Sequence, residues 1–181
     1  LAQHLHVPLQ SGSDRILRLM NRRYWAKQHA ERILAIREQI PNCGIGADVM
    51  VGFPGETERD HTLSLGFIEP LPLSYLHIFP YSARPGTPAA AMLGQLNGRV
   101  IRERGQEIRA VMAGKRQAFL EAQIGRTLSA LTLDEEREGG RVALSSNYLT
   151  VVLPGSEVAP NTFLTVRIVR SVRNLLYGNP E

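Results

Sequence analysis

Three times this chain runs an apolar, strand-like segment into a polar turn, and that repeated pattern limits its architecture more than any other feature. The runs are Leu5-His6-Val7-Pro8-Leu9-Gln10-Ser11-Gly12-Ser13-Asp14, then Ile45 through Gly52-Phe53-Pro54-Gly55-Glu56-Thr57, then Tyr75-Leu76-His77-Ile78-Phe79-Pro80-Tyr81-Ser82. Helical periodicity fills the gaps between them. Ile16, Leu17 and Met20 follow the first turn, and Ile33, Ile36 and Ile40 recur at three- and four-residue spacing before Pro41-Asn42. Strands alternating with helices predict βαβ units and a parallel sheet, whose carboxyl ends gather the chemistry on one side. The run from Ile45 to Phe53 is apolar at nearly every position, as expected of a strand covered on both faces, apart from Asp48.

A second pattern begins after the turn-rich Arg84-Pro85-Gly86-Thr87-Pro88. A long helix is expected from about Arg99 to Gln123, and beyond Gly125 come short β-rich runs at 127–133, 141–144, 148–153 and 162–169. Gly, Pro and Asn turns separate them, which suggests a small barrel of about five strands. The reading is therefore an α/β part over residues 1–122, trailing into a basic helix, and a small all-β barrel, OB-like, over 123–181. Of 21 Lys and Arg against 17 Asp and Glu, 7 basic and 3 acidic residues fall in 97–126, so the surplus belongs to the long helix. The β-rich part is near neutral, with 5 basic and 6 acidic residues over 127–181.

Composition excludes some classes. No apolar run approaches the roughly 20 residues that cross a bilayer, and no basic segment leads into an apolar one at the start, so a cytoplasmic protein with no membrane partner is expected. A single cysteine, Cys43, excludes an internal disulfide framework and any multi-cysteine metal site made by this chain alone. It follows Pro41-Asn42, away from the strand ends, and reads as structural. Leu1 stands directly ahead of a strand-like segment, which reads as a piece of something longer.

The strand ends hold the candidate site. Glycines at 52 and 55 let a ligand approach the backbone, and amides opening a helix can meet an anion or an adenine edge; equally, the glycines only make the turn. Asp48 within an apolar strand needs a partner, either an arginine, a backbone amide or a ligand, because burying it alone costs several kcal/mol. Helix capping falls to Ser13 or Asp14, and a ligand role to Gln10 and Ser11. His4, His6 and His77 sit on strands without zinc-like spacing, so packing is expected of them and no metal is assigned. Trp25, beside Arg22, Arg23 and Tyr24, is expected to pack.

Four blocks in order carry a family resemblance: His6 through Asp14, Met20-Asn21-Arg22-Arg23-Tyr24, Asp48 through Thr57, and His77 through Thr87 with Arg84 inside it. Together they resemble the radical S-adenosylmethionine methylthiotransferases. The likeness is greatest to the branch acting on threonylcarbamoyladenosine beside the tRNA anticodon, then to the isopentenyladenosine branch, then to the branch modifying a ribosomal protein. It implies the C-terminal half of a radical barrel followed by a TRAM domain, a small RNA-binding β-barrel. It also implies S-adenosylmethionine and two 4Fe-4S clusters in a longer enzyme, with cluster ligands outside this chain. The partners implied are the tRNA anticodon stem-loop and the missing N-terminal part of the same protein, without which this piece is inactive.

Carried onto these positions, the resemblance places Gln10 and Ser11 near the cofactor's ribose and methionine portions. It places Gly52, Phe53, Pro54 and Gly55 at its adenine, and Phe79, Pro80 and Tyr81 below it. Asp48 joins this cofactor-binding set, and no catalytic residue is assigned. His61, Trp25 and Pro70-Leu71-Pro72 depart from the family pattern. For RNA, Arg84, Tyr148, Arg167 and Arg170 are the candidates, with Arg173, Asn147 and Phe163 nearby; solvated arginines are the plain alternative. Arg102, Arg104, Arg109, Lys115 and Arg116 on the long helix either add phosphate contacts or solvate its outer face. A stand-alone RNA-binding module is the other class of function these residues allow.

Overall fold

A computed structural model describes residues 2–181 and resolves into two compact units. One comprises His6–Pro41 and Ile45–Lys115; the other gathers the N-terminal residues up to Leu5 with Asn42–Gly44 and Arg116–Glu181.

A three-stranded sheet, most of it in the first unit, has the order β1 (His4–His6), β2 (Gly44–Val51), β3 (Tyr75–Pro80). β2 and β3 pair in parallel with Asp48 beside His77 and Met50 beside Phe79. Beyond β1, Val7 N donates to Gly46 O and the parallel bridge Gln10–Val49 extends the pairing. Helices α1 (Asp14–Leu19), α2 (Ala26–Gln39) and α3 (Glu58–Ile68) connect the strands. Their apolar stripes supply Ile16, Leu17, Ile33 and Ile68 to a core shared with Ile45, Ala47, Val49 and Val51 of β2. The alternate residues of β2, Asp48 and Met50, are only half-buried, so the strand is not covered equally on both faces as its composition suggests.

Local chemistry explains the helix starts. Thr57 caps α3 by accepting from Asp60 N, and the Asp60 carboxylate returns a bond to Thr57 N, a reciprocal arrangement that satisfies two otherwise unpaired amides. Ser13 stands at the N-cap of α1 without a side-chain cap bond; its hydroxyl donates to Asp60 at 2.7 Å. Asp14 instead accepts from Ala26 N and so closes the start of α2. Trp25, at that same cap, is 46% exposed beneath the Arg18 guanidinium at 5.3 Å, more open than packing alone predicts.

A 3₁₀ turn at Pro88–Ala91 leads to helix α4 (Gly98–Glu121). The second unit is a closed barrel ordered β4 (Thr127–Arg137), β5 (Gly140–Ser145), β6 (Thr150–Pro154), β8 (Leu175–Pro180), β7 (Phe163–Val172). Most of its strand pairs are antiparallel, whereas β6 and β8 run parallel, which makes the barrel mixed. Leu128, Ala143, Val151, Leu153, Val166, Ile168 and Leu176 fill it, with Leu120 from the end of α4. Closure leaves no exposed edge among these five strands. No helix among the described residues is long and apolar enough to cross a membrane.

Candidate functional site

The carboxyl ends of β2 and β3 and the turn after β1 open onto two adjoining hollows in the first unit. One, of about 290 Å³, is lined by Gln10, Met20, Asn21, Met50, Phe53 and the Thr87–Ala89 segment. The other, of about 360 Å³, is lined by Met50, Phe53, Phe79, Pro80, Tyr81 and Arg84. Met50, Phe53, Thr87 and Ala89 are common to both, so the two form one cleft with predominantly apolar walls. Gln10 reaches it because φ of 72° turns the chain there; its amide donates to Asp48 O and its carbonyl accepts from Met50 N. The main chain is thereby fixed while the side chain faces the cleft. Phe53 and Tyr81 meet edge to face at 5.7 Å, and Tyr81 N donates to Val51 O. The Tyr81 hydroxyl is buried with no protein partner. Leaving such a group unpaired costs about 1–3 kcal/mol, which a ligand acceptor would recover.

The rest of the candidate set lies behind or below this cleft. Gly52 occupies the left-handed region at φ 78°, and a Cβ there would come within 2.4 Å of Ile101 Cγ1, so both conformation and packing require glycine. The amides of the following turn are not free for an anion. Gly52 N donates to Glu56, Gly55 N to Gly94 O, Glu56 N to Phe53 O and Thr57 N to Asp60. Pro54 is buried and Gly55 half-buried, and neither lines the cleft. Ser11 is buried as well; its hydroxyl lies 3.3 Å from that of Ser64 and accepts from Ser13 N, which ties the turn to α3. Asp48 lies two residues before Met50 on the same face of β2 and is partnered by two histidines, not by an arginine or an amide. Spacing along the sequence hid this grouping, because His6 and His77 come from different strands.

Charged groups behind the cleft brace the turns. Burial would raise the Asp60 carboxyl, but Arg15, Thr57 and Ser13 together hold it well below the usual carboxylate range. Arg104 of α4 donates to the Glu56 carboxylate at 2.6 Å with both side chains buried, so it is not available to a phosphate. Lys115 donates to Glu69 O, and burial lowers its ammonium pKa. His61 is buried against Glu107 at 2.7 Å. Met50, Asn21, Thr87 and Met92 were not among the sequence candidates; for Met50 the period of two along β2 was the available signal.

In the second unit, Tyr148 is 55% exposed at φ 67° and stacks on His4 at 4.3 Å, and Phe163 is 77% exposed. Both line a hollow of about 410 Å³ with Ser129, Leu131 and Ser146. Arg170 lies over the Tyr177 ring at 4.0 Å, and Arg167 is 3.9 Å from Glu181. Asn147, a candidate RNA contact, is buried and bonded to Ser145, Gln123 and Asn42 O. Cys43 is fully buried, its thiol 3.7 Å from Gly44 O.

Comparison with known proteins adds a family to this geometry. Residues 2–66 match the radical SAM superfamily. The chain is 41% identical over 155 residues, 86% of its length, to the threonylcarbamoyladenosine tRNA methylthiotransferase MtaB of Aquifex aeolicus. It is 34% identical over 94% of its length to the MtaB of Bacillus subtilis. To the tRNA-2-methylthio-N(6)-dimethylallyladenosine synthase of Paracoccus denitrificans it is 38% identical over 98% of its length. It spans about two fifths of the length of these curated relatives, 37%, 39% and 40% respectively.

Proposed function

We infer, for a chain that belongs to the radical SAM methylthiotransferase family, that it forms the cofactor-facing and RNA-facing portion of an enzyme adding a methylthio group to tRNA. The observation that carries this reading is the cleft at the strand ends, where Gln10, Phe53, Phe79 and Tyr81 surround space for a nucleoside. The residues fit S-adenosylmethionine: an apolar wall for a purine, an unpaired buried hydroxyl at Tyr81 and a side-chain amide at Gln10. Bound there, it would supply a methyl group and, on reductive cleavage, a 5′-deoxyadenosyl radical. Phe53, Phe79 and Tyr81 would form the apolar wall beside it, and Gln10 would orient the polar portion through a main chain held at both ends. A 4Fe-4S cluster needs several thiolates, and this chain has one cysteine, which is buried, so these residues alone do not supply a cluster's ligands.

The substrate proposed is N6-threonylcarbamoyladenosine, modified at C2, in the anticodon loop. What supports it is the identity to the Aquifex aeolicus enzyme. The dimethylallyladenosine branch is the second reading, favoured by similarity over nearly the whole of this chain. The second unit is proposed as a TRAM domain contributing Tyr148, Arg167 and Arg170 to RNA. Nucleoside mass spectrometry of tRNA from a strain lacking the gene decides between the two branches. Loss of the 2-methylthio form of threonylcarbamoyladenosine is expected; its persistence, with loss of the dimethylallyl counterpart, would replace this substrate with the other. Tyr81→Phe is expected to weaken S-adenosylmethionine binding by about 5- to 10-fold, the worth of one hydrogen bond.

A further inference from the structure

We propose that His6, Asp48 and His77 form a two-histidine, one-carboxylate site for a divalent transition-metal ion, distinct from the residues that line the cleft. The three residues come from three adjacent strands. β2 projects Gly46, Asp48 and Met50 to one face, the register of β3 sets His77 beside Asp48, and β1 brings His6 from the other side. His6 Nε2 and His77 Nδ1 both point at the same oxygen, Asp48 Oδ1, at 3.0 and 3.4 Å. Each residue offers one ligand atom, and all three atoms lie within 4.8 Å of one another. A four-coordinate ion with bonds of about 2.0–2.2 Å holds its ligand atoms about 3.4 Å apart. The two carboxylate distances already match, and only the histidine separation needs to close.

The surroundings are built to hold these ligands. Tyr75 Oη lies 3.0 Å from His6 Nδ1, the nitrogen left over when Nε2 is a ligand. An imidazole that gives Nε2 to a metal carries its proton on Nδ1 and donates it to an outer acceptor, a role the tyrosine oxygen can fill. Tyr75 gets there by lying across β2, and the residue beneath it is Gly46. A Cβ at position 46 would lie 1.9 Å from Tyr75 Cζ. The glycine therefore provides the slot through which the tyrosine reaches His6. His77 is the most open of the three, its side chain 58% exposed, which leaves coordination positions for water or a substrate atom. Three protein ligands with open positions is the pattern of a reactive ion, not of a closed structural one. Imidazole with one carboxylate suits Zn²⁺, Co²⁺, Ni²⁺ or Fe²⁺ and not Mg²⁺ or Ca²⁺, which take oxygen ligands.

The test is titration of the metal-free 181-residue chain with Zn²⁺ by calorimetry and with Co²⁺ by visible absorption. One Zn²⁺ per chain and Co²⁺ ligand-field bands are expected, with Mg²⁺ giving no signal. Asp48→Asn and His77→Ala should each abolish the Zn²⁺ isotherm. Tyr75→Phe should weaken it by about 10- to 100-fold, as loss of an outer partner does. Gly46→Ala should act in the same direction by displacing the ring. His4→Ala, at a histidine outside the cluster, should change nothing. Circular dichroism checks that each variant is folded, and His77→Gln replaces any Ala variant that is not. Absence of stoichiometric Zn²⁺ binding by the parent chain, or binding that survives both Asp48→Asn and His77→Ala, would overturn the site.

Discussion

Asp60 shows how one side chain can hold several turns. Its carboxylate accepts from Ser13, from Arg15 and from Thr57 N, joining the loop after β1 to the start of α3. Asp60→Ala strands the Ser13 hydroxyl and the Thr57 amide, and is expected to cost about 2–4 kcal/mol, read as a lower urea midpoint with an unchanged slope. The pH dependence has a definite sign. Because the folded carboxyl is held below its unfolded value near 3.9, its contribution is fully present above that pH and is lost as pH falls below it. His29 acts in a higher window. Burial lowers its pKa while Nε2 bonds to Val7 O, so the fold favours the neutral ring and loses stability as pH falls below about 6.5. Melting temperature should therefore drop between pH 7 and 5, and His29→Gln should flatten that step while leaving the drop below pH 4. A flat profile in the parent chain over pH 7 to 5 would contradict it.

At the scale of elements, periodicity made most of the architecture legible. Helix α2, the sheet strands and the long helix fall close to where their apolar spacing places them, whereas the buried face of α3 is mostly polar, with Asp60, His61 and Ser64 beside Ile68. β8 escaped since Tyr177-Gly178-Asn179-Pro180 reads as a turn; the signal available was Arg173-Asn174, both at positive φ, which closes the two-residue hairpin from β7. Phe53, Phe79 and Tyr81 reached the cleft as their positions at strand ends suggest. Gly52, Pro54, Gly55 and Ser11 did not, because packing against Ile101 and Ser64 and local amide bonds use them internally. The arginines of α4 look alike in sequence, yet tertiary contacts separate them. Arg104 and Glu56 are a buried pair, and removing one partner leaves an uncompensated charge in the interior. Arg104→Met should destabilise the first unit by about 3–5 kcal/mol, seen in chemical denaturation, whereas Arg102→Met on an exposed position should stay within about 0.5 kcal/mol.

Across the whole molecule, each unit carries its own core, so the RNA contact and the nucleoside binding proposed above are open to separate perturbation. The charge distribution sets the size of the effect. Residues 127–181 are nearly neutral, so in the proposed RNA contact a few placed arginines, not a broad positive field, would supply the phosphate attraction. Arg167 and Arg170 share β7 but differ in their present partners. Arg170 stacks on Tyr177, which pre-orients its guanidinium, while Arg167 lies 3.9 Å from Glu181, an exposed pair worth at most about 1 kcal/mol. If both meet phosphates of a single-stranded loop, the pair Arg167→Ala and Arg170→Ala should lower the slope of log affinity against log salt by about 1.4, from about 0.7 per contact. Glu181→Gln should raise affinity slightly at low salt by freeing Arg167, and that gain should vanish once Arg167 is replaced. Filter binding of an anticodon stem-loop RNA across a salt series measures all three, with S-adenosylmethionine binding as the check that the first unit is untouched. An unchanged slope in the double variant would remove β7 from the RNA-binding surface and leave Tyr148 and Phe163, with their exposed rings, as the residues to examine next.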